Sequence, residues 1–388
     1  MKVVHVITRM ILGGAQENTL LTCEGLHERG HEVTLITGPA RGPEGELLTR
    51  ARAGGYEVVV VPPLRRAIRP GCDLRACRAL RRRLAERAPD VVHTHSSKAG
   101  ILGRRAAWRL RARGAAPERM KIVHTVHGLA FHRHNPAPVN LLYVLLERRA
   151  ARRTDAIISV ADAMTRQALA AGVGRPEQYT TIYSGVELEA FLTRPDAADA
   201  FRASLGVGPD EVLVTQVSRL AELKGHGYLL AAAARLAGRG IHFCFVGDGR
   251  RRGRIARAIA RGGLGRTVHL TGLLPPERMP EVFHASDVIV HCSLREGLAR
   301  ALPQGMLAGR PVVSFDVDGA REAVDADTGA LLAAGDVGGL VAAIRVLAGA
   351  PDLRRRLGSA GRRRALSTFG HVRMIDRIDR LYGSLRGE

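Results

Sequence analysis

The hydrophobic positions of this chain fall into short, nearly continuous runs separated by longer stretches of helical period. Runs at 3–7, 33–36, 58–61, 91–94, 122–126 and 156–160 predict strands in the first half. These runs are β-branched and do not alternate with polar residues. That pattern implies strands buried on both faces, as in a parallel sheet. Amphipathic helices are expected between them. In 73–87, Leu74, Cys77, Leu80 and Leu84 recur at helical spacing, with arginines on the other side. Gly13-Gly14 follows the first strand and opens a helix to about Arg29.

The pattern restarts after Ser184-Gly185-Val186. Strands are expected at 212–217, 242–246, 268–270, 288–290 and 312–315, with helices at 227–237, 250–261 and about 300–307. Two or three helices finish the chain. The fold class is therefore α/β, with two Rossmann-like, doubly wound domains. The expected division is 1–185, 186–368 and a terminal helix in 369–388. Ligands of such units lie beyond the carboxyl ends of the strands, so the site is expected in a cleft between the two domains.

Composition supports this picture and adds a charge. A chain of 388 residues, 46% hydrophobic, suits two cores. The formal charge is +22, with about two thirds of the excess before residue 186. Biased codon usage alone accounts for an Arg-rich chain. An anionic membrane surface or an anionic substrate would account for it functionally. Nucleic acid fits least, because aromatics are only 4% of the chain and stacking platforms need them. Five cysteines without a CxxC pair argue against a disulfide framework and for a reducing cytosol. Cys72 is expected in a loop and Cys77 on a helix face. The chain goes directly into a strand, without a signal peptide, and no apolar run reaches the roughly 20 residues of a membrane span. Membrane contact, if made, is expected to be peripheral.

Several short motifs carry candidate chemistry. The Gly13-Gly14 loop lets backbone approach an anion at a helix start, or serves as a tight turn. It is not a GxGxxG, which disfavours a dinucleotide cofactor. His93, His95, His124, His127, His132 and His134 cluster near strand ends. Without an HExxH or a cysteine partner they read as a polar cluster rather than a zinc site, with His127 best placed for a substrate. Arg219 ends a strand and Lys224 precedes a helix. Two such cations suit a leaving diphosphate, on whose bridging oxygen charge grows, although loop cations are common. Gly247-Asp248-Gly249 is a further turn after a strand. Asp316-Val317-Asp318 has the form of a metal-binding DxD but follows a Rossmann strand, where a plain loop is expected.

The most specific stretch is Leu294 to Gln304. Pro303 is tolerated only in a first helical turn, so the helix is expected to start near Ala299 or Arg300, with Glu296 in the loop before it. The amides of 297–300 then face an anion. Gln304 lies eight residues beyond Glu296, roughly 12 Å along a helical path, so the two can hold opposite ends of one extended ligand.

Taken in order, these pieces resemble family-4 glycosyltransferases of the GT-B fold, of the type that builds bacterial surface polysaccharide. The resemblance covers nearly the whole chain. It rests on Gly13-Gly14, Thr125-Val126-His127-Gly128, Ser184-Gly185-Val186-Glu187, Ser218-Arg219-Leu220, Lys224-Gly225, Val246-Gly247-Asp248-Gly249 and Glu296-Gly297. It implies a retaining transfer of a sugar from a nucleotide diphosphate, with UDP the expected nucleotide, to a hydroxyl of a saccharide or lipid-linked acceptor. It implies no cofactor and no essential metal. By the same resemblance Arg219 and Lys224 bind the diphosphate, and Glu296 holds a sugar hydroxyl. Gly297, Leu298 and Ala299 approach sugar and phosphate, and His127 contacts the donor sugar. Gly13 and Gly14 lie near the distal phosphate, and Gly247, Asp248 and Gly249 near the nucleoside. The last helices are expected to return to the first domain.

One departure matters. The family's Glu-x7-Glu reads Glu296-x7-Gln304 here, so the ribose grip passes from a carboxylate to an amide. His95 and Lys98 are candidates for the acceptor side, and the basic faces of 65–87 and 104–113 for an anionic membrane at the cytoplasmic face. Two other readings stay open from sequence: a sugar-nucleotide isomerase on the same fold, and a basic nucleic-acid-binding protein.

Overall fold

All strand pairing within the two sheets of this protein is parallel. The first sheet contains β1 (Lys2–Ile7), β2 (Glu32–Thr37), β3 (Glu57–Val60), β4 (Val91–His95), β5 (Lys121–Val126), β6 (Ala156–Ser159) and β7 (Tyr179–Thr181), in the order β3-β2-β1-β4-β5-β6-β7. The second contains β8 (Val212–Val217), β9 (Ile241–Val246), β10 (Val268–Gly272), β11 (Val288–His291), β12 (Val312–Phe315) and β13 (Gly329–Leu332), in the order β10-β9-β8-β11-β12-β13. The computed structural model describes residues 1–40 and 45–387. Contacts divide it into a unit of residues 1–185 with the segment from His371, and a unit of Val186–Gly370.

Parallel neighbours need a crossover, and the crossover helices cover both faces of each sheet. That is why β1 could be read as an unbroken apolar run: Val3, Val4, Val6 and Ile7 are all buried. Val3 and Ile7 join the core beneath Leu20 and Leu26 of the helix Gly14–Glu28. Val4 and Val6 face the opposite core, with Leu80 and Leu84 of the helix Pro70–Arg87 and Leu102 of the helix Ser97–Arg111. The helix Pro70–Arg87 starts earlier than its apolar period implies, so Cys72 lies in its first turn rather than in a loop. Leu74 is exposed and Ala76 takes its place in the core.

The helix His371–Arg386 belongs to the first unit. Met374, Ile375, Ile378 and Tyr382 are buried in the same core as Val3 and Leu20. Its polar side bonds the turn that follows the first helix: Arg29 to Asp376 at 2.5 Å and His31 to Asp379 at 2.9 Å. The second unit has its own core of β8, β9 and β11 residues with Leu229, Ile255, Leu340 and Ile344. All five cysteines are free.

Candidate active site

In the second unit the strand order reverses between β8 and β11. Helices leaving such a pair diverge to opposite sides, opening a crevice beyond the carboxyl ends. The loops that fill this position are 218–225 after β8 and 292–300 after β11. They are stitched together: Leu294 N–H and Ser293 Oγ both donate to the carbonyl of Leu223, at 2.7 and 3.0 Å. Gly225, at φ 71°, passes so close to Cys292 that a Cβ would lie 1.7 Å from its carbonyl oxygen. Only glycine fits there. This approach sets Lys224 opposite Glu296.

Glu296 is the centre of the site. Its Oε1 accepts from both the Lys224 ammonium and His291 Nε2, the latter at 3.0 Å. Its own N–H donates to Asp318 Oδ2 at 2.7 Å. Burial by itself would raise the carboxyl pKa. The Lys224 charge and the His291 bond overcome it and hold the group well below the usual carboxylate range. Glu296 is thus a fixed anion, and its Oε2 has no partner among the described residues.

The following amides are poised as donors. Gly297, Leu298 and Ala299 are buried, and their N–H groups have no acceptor among the described residues. The helix begins at Ala301, slightly later than Pro303 alone suggests, and runs to Leu307. Gln304 is half-buried on it, with no side-chain partner among the described residues. Asp316 pairs with Arg321 and Asp318 holds the Glu296 loop, so both acids of the DxD-like segment are engaged in protein contacts.

Arg219 is exposed, and its guanidinium has no partner among the described residues. Its loop is braced by the turn after β9, where the Asp248 carbonyl accepts from Leu220 N–H at 2.9 Å. Gly247 (φ 133°) and Gly249 (φ 154°) lie against the carbonyls of Ser218 and Leu220, where a Cβ would approach to 2.2 and 2.4 Å. Beneath them Gln216 Nε2 donates to the Lys224 carbonyl at 2.7 Å, and Ser218 Oγ meets His226 Nε2 at 3.0 Å. Burial, then the nearby Lys224, pushes the His226 pKa down to about 4.

The first unit has the same reversal, between β1 and β4. Thr8 after β1 bonds Ser96 after β4 at 2.7 Å. Gly13 caps the helix Gly14–Glu28, and the amides of Gly14 and Ala15 have no acceptor among the described residues. The histidines form a chain. His5 Nδ1 meets His95 Nε2 at 2.9 Å, and His95 Nδ1 meets His127 Nε2 at 3.1 Å. His95 is fully buried and bonded at both nitrogens, so it reaches a ligand only through His127. Lys98 is held by Asp73 at 2.6 Å, which compensates the charge offered to an acceptor.

His5, His93 and His95 bring ligand-type nitrogens within 4.8 Å of one another. His93 bonds Tyr382 and Thr125, at 2.5 and 2.7 Å, and only His5 Nε2 lacks a partner. The group is a hydrogen-bonded network. Burial holds His5 down to about pKa 3 and keeps His93, His95 and His124 well below the ordinary value.

The sequence alone does not single out His291, Gln216 or His5, and it marks Asp318 only as part of a DxD-like loop, not as the acceptor that holds Glu296. The one available signal was that His291 ends a strand five residues before Glu296. His5 gave none, because only the in-register pairing of β1 with β4 sets it beside His93.

Residues 12–190 match the family model described as Glycosyltransferase Family 4, and residues 198–364 the model Glycosyl transferases group 1. The UDP-Gal:alpha-D-GlcNAc-diphosphoundecaprenol alpha-1,3-galactosyltransferase of Escherichia coli is 30% identical over 323 residues, covering 82% of this chain and 80% of the relative. A D-inositol 3-phosphate glycosyltransferase of Rhodococcus erythropolis is 26% identical over 342 residues, covering 82% and 75%. Among solved structures, Anabaena Alr3699/HepE in complex with UDP-glucose superposes with a TM-score of 0.84 at 23% identity, covering 99% of this chain and 100% of that one.

Proposed function

Because this chain belongs to glycosyltransferase family 4, we propose that it moves a sugar from a UDP-sugar, with retention at the anomeric carbon, to a hydroxyl of a lipid-linked or saccharide acceptor in surface-polysaccharide or glycolipid synthesis. The observation that carries the donor half is the Lys224–Glu296–His291 cluster at the strand reversal, beside three unpartnered amides and the unpaired Arg219. In the transfer, the bond from the anomeric carbon to the diphosphate breaks and one to the acceptor oxygen forms. Negative charge grows on the departing phosphate oxygens. Arg219, Lys224 and the amides of Gly297, Leu298 and Ala299 are the groups suited to receive it.

Glu296, kept ionised, is suited to accept a sugar hydroxyl through Oε2. Gln304, with its amide unengaged, takes the ribose. The Gly247-Asp248-Gly249 turn takes the nucleoside, and Gly13 and Gly14 the distal phosphate. His127 is suited to a sugar contact. None of these roles calls for a metal or cofactor. A UDP donor is supported by the names of the relative from Escherichia coli and the Anabaena complex. The former also supports a diphospholipid acceptor; peripheral contact with an anionic membrane, on its cytoplasmic side, is part of the same proposal. No helix of the described residues is long and apolar enough to cross a membrane.

The test is a panel of nucleotide sugars in thermal unfolding, followed by product analysis with the stabilising donor. A ligand of the folded state raises stability by mass action, about 2.7 kcal/mol at a hundredfold excess over Kd. A UDP-sugar should stabilise the protein and release UDP only when an acceptor is present. Epimerisation of the donor without an acceptor would instead mark an isomerase, and no stabilisation by any nucleotide sugar would overturn the reading.

A further inference from the structure

The helix Ala137–Ala151 of the first unit wears its apolar face outward. Leu141, Leu142 and Leu145 are 60%, 52% and 52% exposed. At 100° per residue these three share one face, and Glu147 lies on the opposite one. Glu147 is buried and takes Arg104 at 2.6 Å, while Arg104 Nε also donates to the Gly100 carbonyl at 2.9 Å. Arg104 itself is 1% exposed. This internal ion pair fixes the helix in rotation. Turning the leucines inward would drag Glu147 into solvent and strand a buried guanidinium, which is strongly unfavourable. The outward leucines are therefore a fixed feature of the unit.

Beside them runs a groove between this helix and Ser97–Arg111. It is lined by Arg105, Trp108 and Arg109 on one side and Arg149 and Arg153 on the other. The Arg153 guanidinium stacks 3.9 Å over the Trp108 ring. None of these four arginines has an ionic or hydrogen-bonding partner among the described residues. Other cations of this half are answered, Arg87 by Glu57, Arg111 by Asp155 and Lys98 by Asp73, so what marks the groove is that four unanswered ones line a single depression. Four unanswered guanidiniums around one groove select an anion, and planar forks match phosphate oxygens.

We propose that this face docks on an anionic phospholipid bilayer, with headgroup phosphates in the arginine groove and Leu141, Leu142 and Leu145 in the interfacial layer. An apolar stripe next to dense positive charge is the chemistry of interfacial attachment. A second copy of the chain fits poorly, since it would bring the same four positive charges face to face. A nucleic acid would find a single aromatic ring to stack on and leucines with nothing to bury them. Within the basic stretch 104–113, Arg104 and Arg111 are internally paired, while Arg105 and Arg109 reach the groove and are joined there by Arg149 and Arg153.

The proposal names the surface for the membrane contact of the preceding section, but its evidence is independent of sugar transfer. The full chain is floated with vesicles of phosphatidylcholine alone or with 30% phosphatidylglycerol. It should bind the anionic vesicles and not the neutral ones. The variant L141S/L145S should lose most of that binding while keeping the wild-type unfolding temperature and donor-induced stabilisation, because both side chains are already in solvent. R105Q/R149Q should weaken binding about twenty-five-fold, from two cations at about fivefold each. Equal binding to neutral vesicles, or undiminished binding by L141S/L145S, would overturn the proposal. So would a dimer in size-exclusion chromatography that L141S/L145S converts to monomer. Vesicle binding without donor stabilisation would sink the transferase reading alone; stabilisation without vesicle binding would sink this proposal alone.

Discussion

Lys224 and His291 bond the same oxygen of Glu296, one from the loop after β8 and the other from the end of β11. The carboxylate is thereby ionised, immobile and open on its other oxygen. Replacing Glu296 by Ala removes the proposed hydroxyl acceptor and leaves Lys224 unpaired. Turnover should fall about 10²–10³-fold, with the unfolding temperature as the control for folding. Arg219→Ala should lose turnover to a similar degree with unchanged stability, because its side chain is exposed and unpartnered. Near-normal kcat in both variants would remove the site assignment.

The depressed Glu296 pKa has a pH consequence. A carboxyl with a lowered folded pKa contributes stability above its unfolded pKa and loses it as pH falls through the folded one. Glu296 therefore stays ionised through mildly acidic pH in the native protein. In Lys224→Met the largest opposing charge is gone, burial is opposed by His291 alone, and the Glu296 pKa rises. The acid limb of the pH–activity profile should move toward neutrality in that variant, measured on its residual turnover.

His226 works in the same direction. Its folded pKa is down at about 4 against an ordinary 6.5, so the unfolded chain binds the extra proton between those values. Stability should decline as pH falls from about 6.5 toward 4, by up to about 3 kcal/mol from this residue at roughly 1.4 kcal/mol per unit. His226→Asn should flatten that slope in thermal unfolding. An unchanged slope would show that other buried histidines, such as His5 and His95, dominate it.

The chain His5–His95–His127 fixes where protons sit. His5 Nε2 is buried without a partner, and a bare lone pair is better tolerated there than an orphaned N–H. The proton of His5 then lies on Nδ1 and is donated to His95 Nε2. His95 in turn donates from Nδ1 to His127 Nε2. Nitrogen NMR of labelled histidine should show Nδ1–H tautomers for His5 and His95. Loss of that signature at His95 is expected in His5→Phe.

Gln304→Glu restores two acceptor oxygens where the ribose is proposed to bind. The Kd for UDP should tighten, by up to about tenfold for one added charge-assisted bond of roughly 1.4 kcal/mol, measured by calorimetry. Weakened binding would place the ribose elsewhere.

Much of this fold was legible because parallel strands covered on both faces write themselves as unbroken runs, as Val3 to Ile7 does. Strands β7 and β13 escaped because Tyr179–Thr181 and Gly329–Leu332 are half-buried edge strands with weak runs. In the site, Arg219, Lys224 and Glu296 stood out through the motifs around them. His291 did not, since its value lies in a bond across a loop. Lys98 looked available in sequence because Asp73 is 25 residues away and meets it only through helix packing. The outward leucines of Ala137–Ala151 were equally hidden: an apolar helix reads as core until Arg104 and Glu147 show which side faces in.

The order of assembly during synthesis follows from where Tyr382 sits. Its hydroxyl bonds His93, and Met374, Ile375 and Ile378 complete the core beneath β1. The unit begun by the first residues therefore stays unfinished until the last helix has left the ribosome. The unit of Val186–Gly370 is continuous and can close first, although it is translated second. A fragment ending at Gly185 would expose a strip of core that no residue of its own can cover.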